Sequence, residues 1–161
     1  MTEAPRDPDY EQRVRASFTR QAAMSTLGAT LARVAPGKVV LELPFRSELT
    51  QQHGFLHAGI MTSVMDTACG YAALSLMERG AAVLSVEFKV NLLAPARGNL
   101  FRAIGRVVRA GRTVTVVSGE FRVVDAESGQ QPAASLETTG SLVAIMTGTM
   151  MAVRDRPGLS D

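Results

Sequence analysis

The sequence has no tryptophan, and aromatic residues of all kinds make up only 5% of its 161 residues. Hydrophobic residues nevertheless reach 46% and charged residues 20%, which is the composition of a folded protein rather than a disordered one. The core is therefore expected to consist mainly of Val, Leu, Ala and Met side chains. A chain of this length fits one domain that can bury a substantial core.

Cysteine is almost absent as well. The single Cys69 has no partner for an intramolecular disulfide, which favours a reducing compartment. The first residues carry the charges of Glu3, Arg6, Asp7 and Asp9 without an apolar run, so no signal peptide is predicted. We therefore expect a cytoplasmic protein in which Cys69 is a small core residue.

Neither sign of charge dominates, because the sequence has 17 Lys and Arg residues and 15 Asp and Glu residues, which gives a net charge of +2. No run of basic residues is long enough to follow a duplex, so binding to nucleic acid is not predicted. The basic residues are nearly all arginine. Five arginines cluster within residues 97–112, namely Arg97, Arg102, Arg106, Arg109 and Arg112. This cluster predicts a local phosphate-binding site.

A glycine-rich phosphate loop, a zinc-binding signature and the nucleophile elbow of serine hydrolases are all missing from the sequence. No metal and no cofactor are therefore expected, and covalent catalysis by serine has no support. The search for a reactive group turns to the longest apolar stretch of the chain.

That stretch runs from His53 to Met77 and predicts a helix of about twenty residues. Its apolar residues fall on nearly every side, so the helix should be buried. The segment from Phe55 is long enough to span a bilayer. Asp66 and His57 argue against a transmembrane helix, because ionisable groups are rare at the centre of a membrane.

Asp66 is the exception within this apolar helix. An ionised carboxylate in apolar surroundings is costly unless partners or solvent compensate it. Thr62 and Gly70 lie four residues before and after it, and they form a narrow stripe of small and polar residues on the same side. Asp66 is therefore either a reactive carboxylate or a paired structural acid.

The remaining segments read mostly as strands. Residues 1–22 predict a leader and a helix over 9–22 that packs through Tyr10, Val14 and Phe18. Residues 23–154 are expected to form one domain, and residues 155–161 a frayed tail. Alternating apolar residues and turn signals predict strands over 25–34, 38–45, 84–92, 99–109, 112–125 and 141–154, with a long loop over 127–140.

The clearest strand is 84–92. Its apolar side chains are predicted to share one face and its polar side chains the other, with Leu84, Val86, Phe88, Val90 and Leu92 opposed to Ser85, Glu87, Lys89 and Asn91.

The order of these elements shows no βαβ alternation, so the predicted fold class is α+β with one antiparallel sheet. A helix that is apolar on nearly all sides is buried only if the sheet curves around it. The sheet edges and the uncovered surface then favour a second copy of the chain, and we expect a homodimer.

One motif carries a family resemblance. It reads Gln51-Gln-His-Gly54-Phe-Leu-His57-Ala58-Gly59, with Asp66 nine residues after His57 and a Ser-Val-Glu-Phe-x-Val-x-Leu-x-x-Pro strand further on. Over residues 25–153 the chain resembles the hotdog-fold acyl-CoA thioesterases of the PaaI-like group. The motif of that family is Asn-x-x-Gly-x-x-His-Gly-Gly, so Gln51 replaces the Asn and Ala58 replaces the first Gly of the pair.

The resemblance implies hydrolysis of an acyl-CoA thioester between two subunits. Asp66 matches the family's general base or nucleophile, and the backbone N–H of Ala58 matches the oxyanion donor from the opposite subunit. Gln51 retains an amide at the position of the family Asn. Ser85 matches a residue that orients water, or is simply a polar strand residue. His57 matches a histidine position in the substrate-binding loop of the family, where it has either a structural role in the loop or a direct role in catalysis.

Substrate contacts are implied at five further positions. Gly59 and Met65 are expected beside the acyl group, and at least one of Arg97, Arg109 and Arg112 is expected to hold a phosphate of CoA.

Two rival functions stay open in the sequence. One is an acyl-CoA-binding protein without hydrolysis, and the other is a hotdog dehydratase acting on enoyl-CoA, whose Asp and His arrangement fits His57 and Asp66 less well. The acyl preference, and the choice between a dimer and a dimer of dimers, stay undecided at this level.

Overall fold

The computed structural model describes residues 4–124, 140–159 and 161, and the predicted loop over 127–140 lies almost entirely outside them. The described helices are α1 (Tyr10–Thr19), α2 (Ala22–Leu27) and α3 (Ala58–Leu74), with a 3-10 turn at Ser47–Leu49. The described strands are β1 (Thr30–Ala35), β2 (Lys38–Pro44), β3 (Ala82–Leu92), β4 (Leu100–Ala110), β5 (Val114–Val124) and β6 (Ser141–Val153).

The six strands form a single sheet in the order β1-β2-β4-β5-β6-β3. Every neighbouring pair is antiparallel. The predicted α+β class with one antiparallel sheet is therefore confirmed. Since β3 stands at the end of this order, one of its edges has no neighbour among the described strands.

Helix α3 lies across the inner face of the sheet and is the centre of the hydrophobic core. Eleven of its 17 residues are buried, and they pack against inner-face side chains such as Leu41, Phe101 and Phe121. The helix approaches β4 closely at Gly105, where an added Cβ would lie 2.3 Å from the backbone of Ala68. No helix in the described part of the chain is long and apolar enough to cross a membrane.

The predicted alternation of β3 is wrong at its centre, because the strand contains a β-bulge between Ser85 and Glu87. Ser85 pairs with Met150 and Val90 pairs with Met146, and both methionines are buried in the core. Cross-strand partners share a face of the sheet, so Ser85 lies on the same face as Val90. The extra residue of the bulge shifts the alternation by one position.

The first predicted strand, over 25–34, is also partly wrong, because α2 occupies its first three residues. Gly28 ends this helix in the left-handed conformation with φ of 74°, and its N–H and that of Ala29 return to Ser25 and Met24 carbonyls. This is an ordinary glycine helix terminus. The apolar residues around Gly28 alternate, which is why the sequence pattern resembles a strand.

Helix α1 packs on the C-terminal end of α3, and Val14 is fully buried between them and the sheet. The guanidinium of Arg13 donates to the carbonyls of Leu74, Met77 and Glu78 at 2.9, 2.8 and 2.5 Å, at the last residue of α3 and in the segment that follows it. Asp7 pairs with Arg13 at 3.5 Å. The domain boundaries at residues 22 and 154 and the frayed tail remain predictions.

Candidate active site

Asp66 lies near the middle of α3, partly buried, at the point where the helix faces β3. Its Oδ1 accepts a hydrogen bond of 2.7 Å from the hydroxyl of Ser85. The bulge in β3 is what turns this hydroxyl toward the helix. The structure therefore brings together two of the residues that the resemblance implied, a carboxylate and a hydroxyl that fixes its orientation.

A cavity of about 250 Å³ opens beside this pair. Helix α3 contributes four residues that share one side of the helix, and β3 contributes the opposite wall. The remaining lining comes from α1, from the residue before α2 and from Asp161. The full lining is Ser17, Gln21, Asp66, Thr67, Gly70, Tyr71, Val83, Leu84, Ser85 and Asp161.

The N-terminal end of α3 forms a second polar feature. His57 is the N-cap residue, and its Nδ1 accepts a hydrogen bond of 2.9 Å from the backbone N–H of Gly59. A Cβ at position 59 would lie 3.1 Å from this nitrogen, so glycine suits the cap. The carbonyl of His57 accepts from Ile60 and Met61. His57 thus has a local structural role, which is one of its two expected roles.

These bonds leave one N–H unused in the first turn of α3. Within the described residues, the backbone N–H of Ala58 has no hydrogen-bond partner. The positive end of the helix dipole adds to the attraction that such a group exerts on a negative oxygen. The replacement of Gly by Ala in the motif therefore leaves the donor in place.

Ala58 lines a second cavity, of about 440 Å³, together with Gln51. The side-chain oxygen of Gln51 accepts from the backbone N–H of His53, which fixes the side chain within its loop. Apolar residues complete the walls, namely Phe55, Leu56, Met61, Leu92, Leu93, Ala94, Pro95 and Ala96. The structure thus places the Gln51 and Ala58 of the motif in one cavity and the Asp66 and Ser85 pair in another.

The two cavities are separated along α3. Ala58 and Asp66 are eight residues apart in one helix, which is about 12 Å along its axis. A thioester is too small to contact both groups within one chain. Within one chain, Ala58 and Asp66 therefore line different cavities.

The implied phosphate-binding arginines also separate. Arg97 stacks on Phe55 with 4.9 Å between its guanidinium carbon and the ring centre, beside the Ala58 cavity. Arg109 and Arg112 flank the β4–β5 turn, at the Leu84 end of β3, whereas Arg97 follows the Leu92 end. These ends are eight strand residues apart, about 26 Å.

Other predicted positions are not in the two cavities. Met65 is fully buried in the core, and Met61 is the helix methionine that lines the Ala58 cavity.

Burial, together with the charge of Asp66, raises the pKa of the Cys69 thiol to about 12, so the thiol is protonated and is not a nucleophile at neutral pH. No three His, Cys, Asp or Glu residues among the described positions are grouped to hold a metal ion.

Sequence reasoning missed the residues that close the Asp66 cavity opposite β3. Ser17, Gln21, Thr67 and Tyr71 all line it. The available signal was the presence of Ser17 and Gln21 at helical spacing with Tyr10, Val14 and Phe18, on the side that α1 buries. A polar residue on a buried face is more informative than an apolar one.

Residues 53–129 match the family model described as Thioesterase superfamily. A thioesterase family protein of known structure from Silicibacter pomeroyi is 48% identical, with 90% of this chain and 98% of that chain covered and a TM-score of 0.80. Acyl-coenzyme A thioesterase 13 from Homo sapiens is 33% identical over 90 residues, which are 55% of this chain and 64% of that protein.

The E. coli PaaI protein, from the phenylacetic acid degradation operon, is 20% identical with 92% of this chain and 96% of that chain covered. Its TM-score of 0.75 shows a shared fold. The predicted hotdog architecture, a curved antiparallel sheet around a long helix, is thereby confirmed. On its sequence and its fold, the chain belongs to the thioesterase superfamily, whose activity is the hydrolysis of thioesters.

Proposed function

We propose that the protein hydrolyses acyl-CoA thioesters to a free acid and CoA, in a site completed by a second copy of the chain. The observation that carries the proposal is the division of α3 into two halves of a site. Asp66, held by Ser85, is one half, and the unpaired N–H of Ala58 is the other. The distance between them supports a site in which each half acts with the complementary half of another chain.

In this mechanism a water molecule attacks the thioester carbon while the Asp66 carboxylate accepts one of its protons. The negative charge that develops on the carbonyl oxygen is stabilised by the Ala58 N–H of the partner subunit. The carbon–sulfur bond then breaks, and the proton returns from Asp66 to the leaving sulfur of CoA. Removing the general base of such a reaction typically lowers the rate by about 10² to 10⁴.

Three further residues support these groups. Ser85 restrains Asp66 and can also contact the attacking water, since a hydroxyl accepts as well as donates. His57 caps α3 and so fixes the first turn that presents the Ala58 N–H. Gln51 lines the Ala58 cavity, and we assign its side-chain amide a contact with the substrate there.

The surface around β3 supports a homodimer. This strand is 11 residues long and lies at the end of the sheet. Phe88, Leu92 and Leu93 are exposed by 43%, 55% and 53%. Unpaired strand edges with apolar side chains readily pair with another chain. Leu92 and Leu93 also border the Ala58 cavity, so pairing at β3 brings the second copy to the site.

CoA carries phosphates, and the arginines offer two locations for them. Arg97 lies beside the Ala58 cavity through its contact with Phe55. Arg109 and Arg112 lie at the opposite end of the sheet. We propose that Arg97 of the chain that supplies Ala58 binds a phosphate of CoA. Arg109 or Arg112 of the partner chain is proposed to bind a further phosphate of the same CoA.

The test is release of free CoA from a panel of acyl-CoA thioesters, followed with a thiol reagent. The wild-type protein is expected to release CoA, and Asp66→Asn is expected to abolish the release. Asp155→Asn provides a matched control, because it makes the same change at an exposed residue outside the cavities. Binding of acyl-CoA without CoA release by the wild type would instead identify a non-hydrolytic acyl-CoA-binding protein.

A further inference from the structure

The sequence contains two lysines, Lys38 and Lys89, among its 17 basic residues. Lys38 is the first residue of β2 and lies on the outer face of the sheet, because the neighbouring Val39 packs in the core on the inner face. Lys38 is half-buried, whereas Lys89 is exposed on β3. The two amines therefore have different surroundings, and neither belongs to the proposed active site.

Two arginines lie next to Lys38 on this outer face. Arg106 of β4 is its direct cross-strand partner, and direct partners have Cβ atoms about 4.5–5.5 Å apart. Arg33 of β1 pairs with Val40, which is two residues after Lys38 on the same face of β2, so Arg33 is a diagonal neighbour at about 7–8 Å. Three cationic side chains from three adjacent strands therefore share one small area of the sheet.

In the described part of the chain, two carboxylates lie near this group of cations, and each binds another arginine. Glu120 of β5 is on the same face of the sheet and accepts a hydrogen bond of 2.8 Å from Arg122. Glu42, four residues after Lys38 in β2, accepts a hydrogen bond of 2.8 Å from Arg102. Each carboxylate is therefore matched by an arginine of its own.

These surroundings disfavour the charged form of Lys38. Partial burial, followed by the charges of Arg106 and Arg33, lowers the pKa of its ammonium group from 10.5 to about 8, while Glu120 acts in the opposite direction. About a tenth of Lys38 is therefore the free amine at pH 7. Desolvation or an adjacent cation activates a lysine as a nucleophile toward carbonyl carbon in the same way, and Lys38 has both.

We propose that Lys38 is a modification site at which acyl-CoA thioesters acylate the protein itself. The free amine nitrogen attacks the thioester carbon, an amide C–N bond forms, and the carbon–sulfur bond breaks. The electron pair of the broken bond leaves with the sulfur, and one proton of the nitrogen ends on the CoA thiolate. The acyl donor belongs to the substrate class of the proposed function, but the reaction needs neither Asp66 nor the Ala58 N–H.

The experiment measures acetylation by acetyl-CoA at each lysine of the Asp66→Asn protein, with peptide mass spectrometry. This variant is used because it is not expected to hydrolyse the thioester. Lys89 is the internal reference, and Nα-acetyl-lysine amide in the same solution is a fully exposed reference. Accessibility alone predicts that both references react faster than the half-buried Lys38. We expect Lys38 to react roughly tenfold faster than either at pH 7.5, because a lower intrinsic nucleophilicity offsets only part of the gain in free amine.

The pH dependence and one neighbouring residue give two further readouts. The rate at Lys38 should level off as pH rises past its pKa of about 8, whereas the rate of the small reference amine should keep rising toward its pKa of about 10.4. Arg106→Gln removes the facing cation and should slow acetylation of Lys38 several-fold. Arg15→Gln, on the exposed side of α1, should leave this rate unchanged, and thermal unfolding checks that each variant is folded.

Acetylation of Lys38 that is no faster than that of Lys89 would overturn the proposal. So would a rate at Lys38 that follows the pH dependence of the small amine, or one that Arg106→Gln leaves unaltered. Because these rates are measured without the Asp66 carboxylate, they do not depend on hydrolysis. Absence of CoA release by the wild type across the acyl-CoA panel would overturn the thioesterase proposal alone.

Discussion

The hydroxyl of Ser85 lies 2.7 Å from the carboxylate of Asp66 because β3 bulges immediately after Ser85. Without the extra residue, Ser85 would share the outer face of the sheet with Glu87 and Lys89. The bulge instead places it opposite Met150, on the face that α3 covers. A local irregularity in one strand thus positions the residue that restrains the carboxylate. Bulges are common next to active sites for this reason.

Removal of this hydroxyl should affect catalysis more than substrate binding. In Ser85→Ala, Asp66 loses a hydrogen bond that fixes its orientation, and bonds to charged groups contribute about 1.5–3 kcal/mol. We expect kcat to fall roughly 10- to 100-fold with little change in KM, as measured by steady-state CoA release. Ser63→Ala, at an exposed position of the same helix, should leave kcat unchanged. A rise in KM alone would contradict the assigned role.

Periodicity and turn chemistry predict most of this fold from the sequence. The apolar residues around Asp66 predict a buried helix, and Pro36-Gly37 predicts the turn of the β1–β2 hairpin. The order of elements predicts the antiparallel sheet. These features depend on local patterns of 5 to 20 residues, which a single sequence displays directly.

The parts that the sequence does not predict depend on contacts between distant segments. The bulge at Ser85 changes no residue type, so the alternating pattern of β3 hides it. The position of Gln21 beside Thr67 requires α1 and α2 to be placed on α3, which no local pattern specifies. For the same reason, no local pattern shows that Ala58 and Asp66 line separate cavities; only the family resemblance implied that the two groups come from different subunits.

Arg13 should contribute strongly to stability. Its side chain is 8% exposed, pairs with a buried Asp7, and donates to three carbonyls at and just after the end of α3. Arg13→Met keeps the apolar stem but removes three hydrogen bonds to these carbonyls and the ion pair with Asp7, which retains its contact with Arg79. We expect the free energy of unfolding to fall by roughly 2–3 kcal/mol, measured by urea denaturation. Arg15→Met breaks only an exposed pair with Glu11 and should cost less than about 1 kcal/mol. Equal losses of unfolding free energy in Arg13→Met and Arg15→Met would show that the buried contacts of Arg13 contribute no more than an exposed ion pair.

Close packing of α3 on β4 predicts a sharp difference between two glycines. An alanine Cβ at Gly105 would lie 2.3 Å from the backbone of Ala68, which has to shift. We expect Gly105→Ala to lower the free energy of unfolding by about 3 kcal/mol. At Gly70, in contrast, the nearest atom is Val83 Cγ1 at 4.0 Å, and alanine favours the helix. Gly70→Ala should therefore be neutral or stabilising in the same thermal or urea unfolding measurement.

The stability of the fold should decrease in acid partly through Glu78. A hydrogen bond from Arg154, together with the Glu78 backbone N–H, lowers the pKa of this carboxyl to about 2 from an ordinary value of 4.5. A carboxyl with a lowered pKa stabilises the folded state above its unfolded pKa, and this stabilisation is lost as pH falls from about 5 to 2. Glu78→Gln should thus be less stable than wild type at pH 7, with a smaller difference at pH 3. A difference independent of pH would exclude this linkage.

Mixing two inactive variants tests whether the halves of the site come from different chains. Asp66→Asn removes the carboxylate, and Ala58→Pro removes the N–H at a first helical position, where proline is tolerated. His57, with φ of −65° and ψ of 136°, already has the extended conformation required before proline. Each variant alone should be inactive, provided that its thermal unfolding shows a folded protein.

When the two variants are denatured together and refolded in equal amounts, half of the dimers should contain one chain of each kind. In such a dimer, the Asp66 of the Ala58→Pro chain faces the intact Ala58 N–H of the Asp66→Asn chain, and the other site lacks both groups. About a quarter of the wild-type CoA release should therefore return, because half of the dimers carry one intact site of two. If both groups acted within one chain, every chain in the mixture would lack one of them and no activity would return.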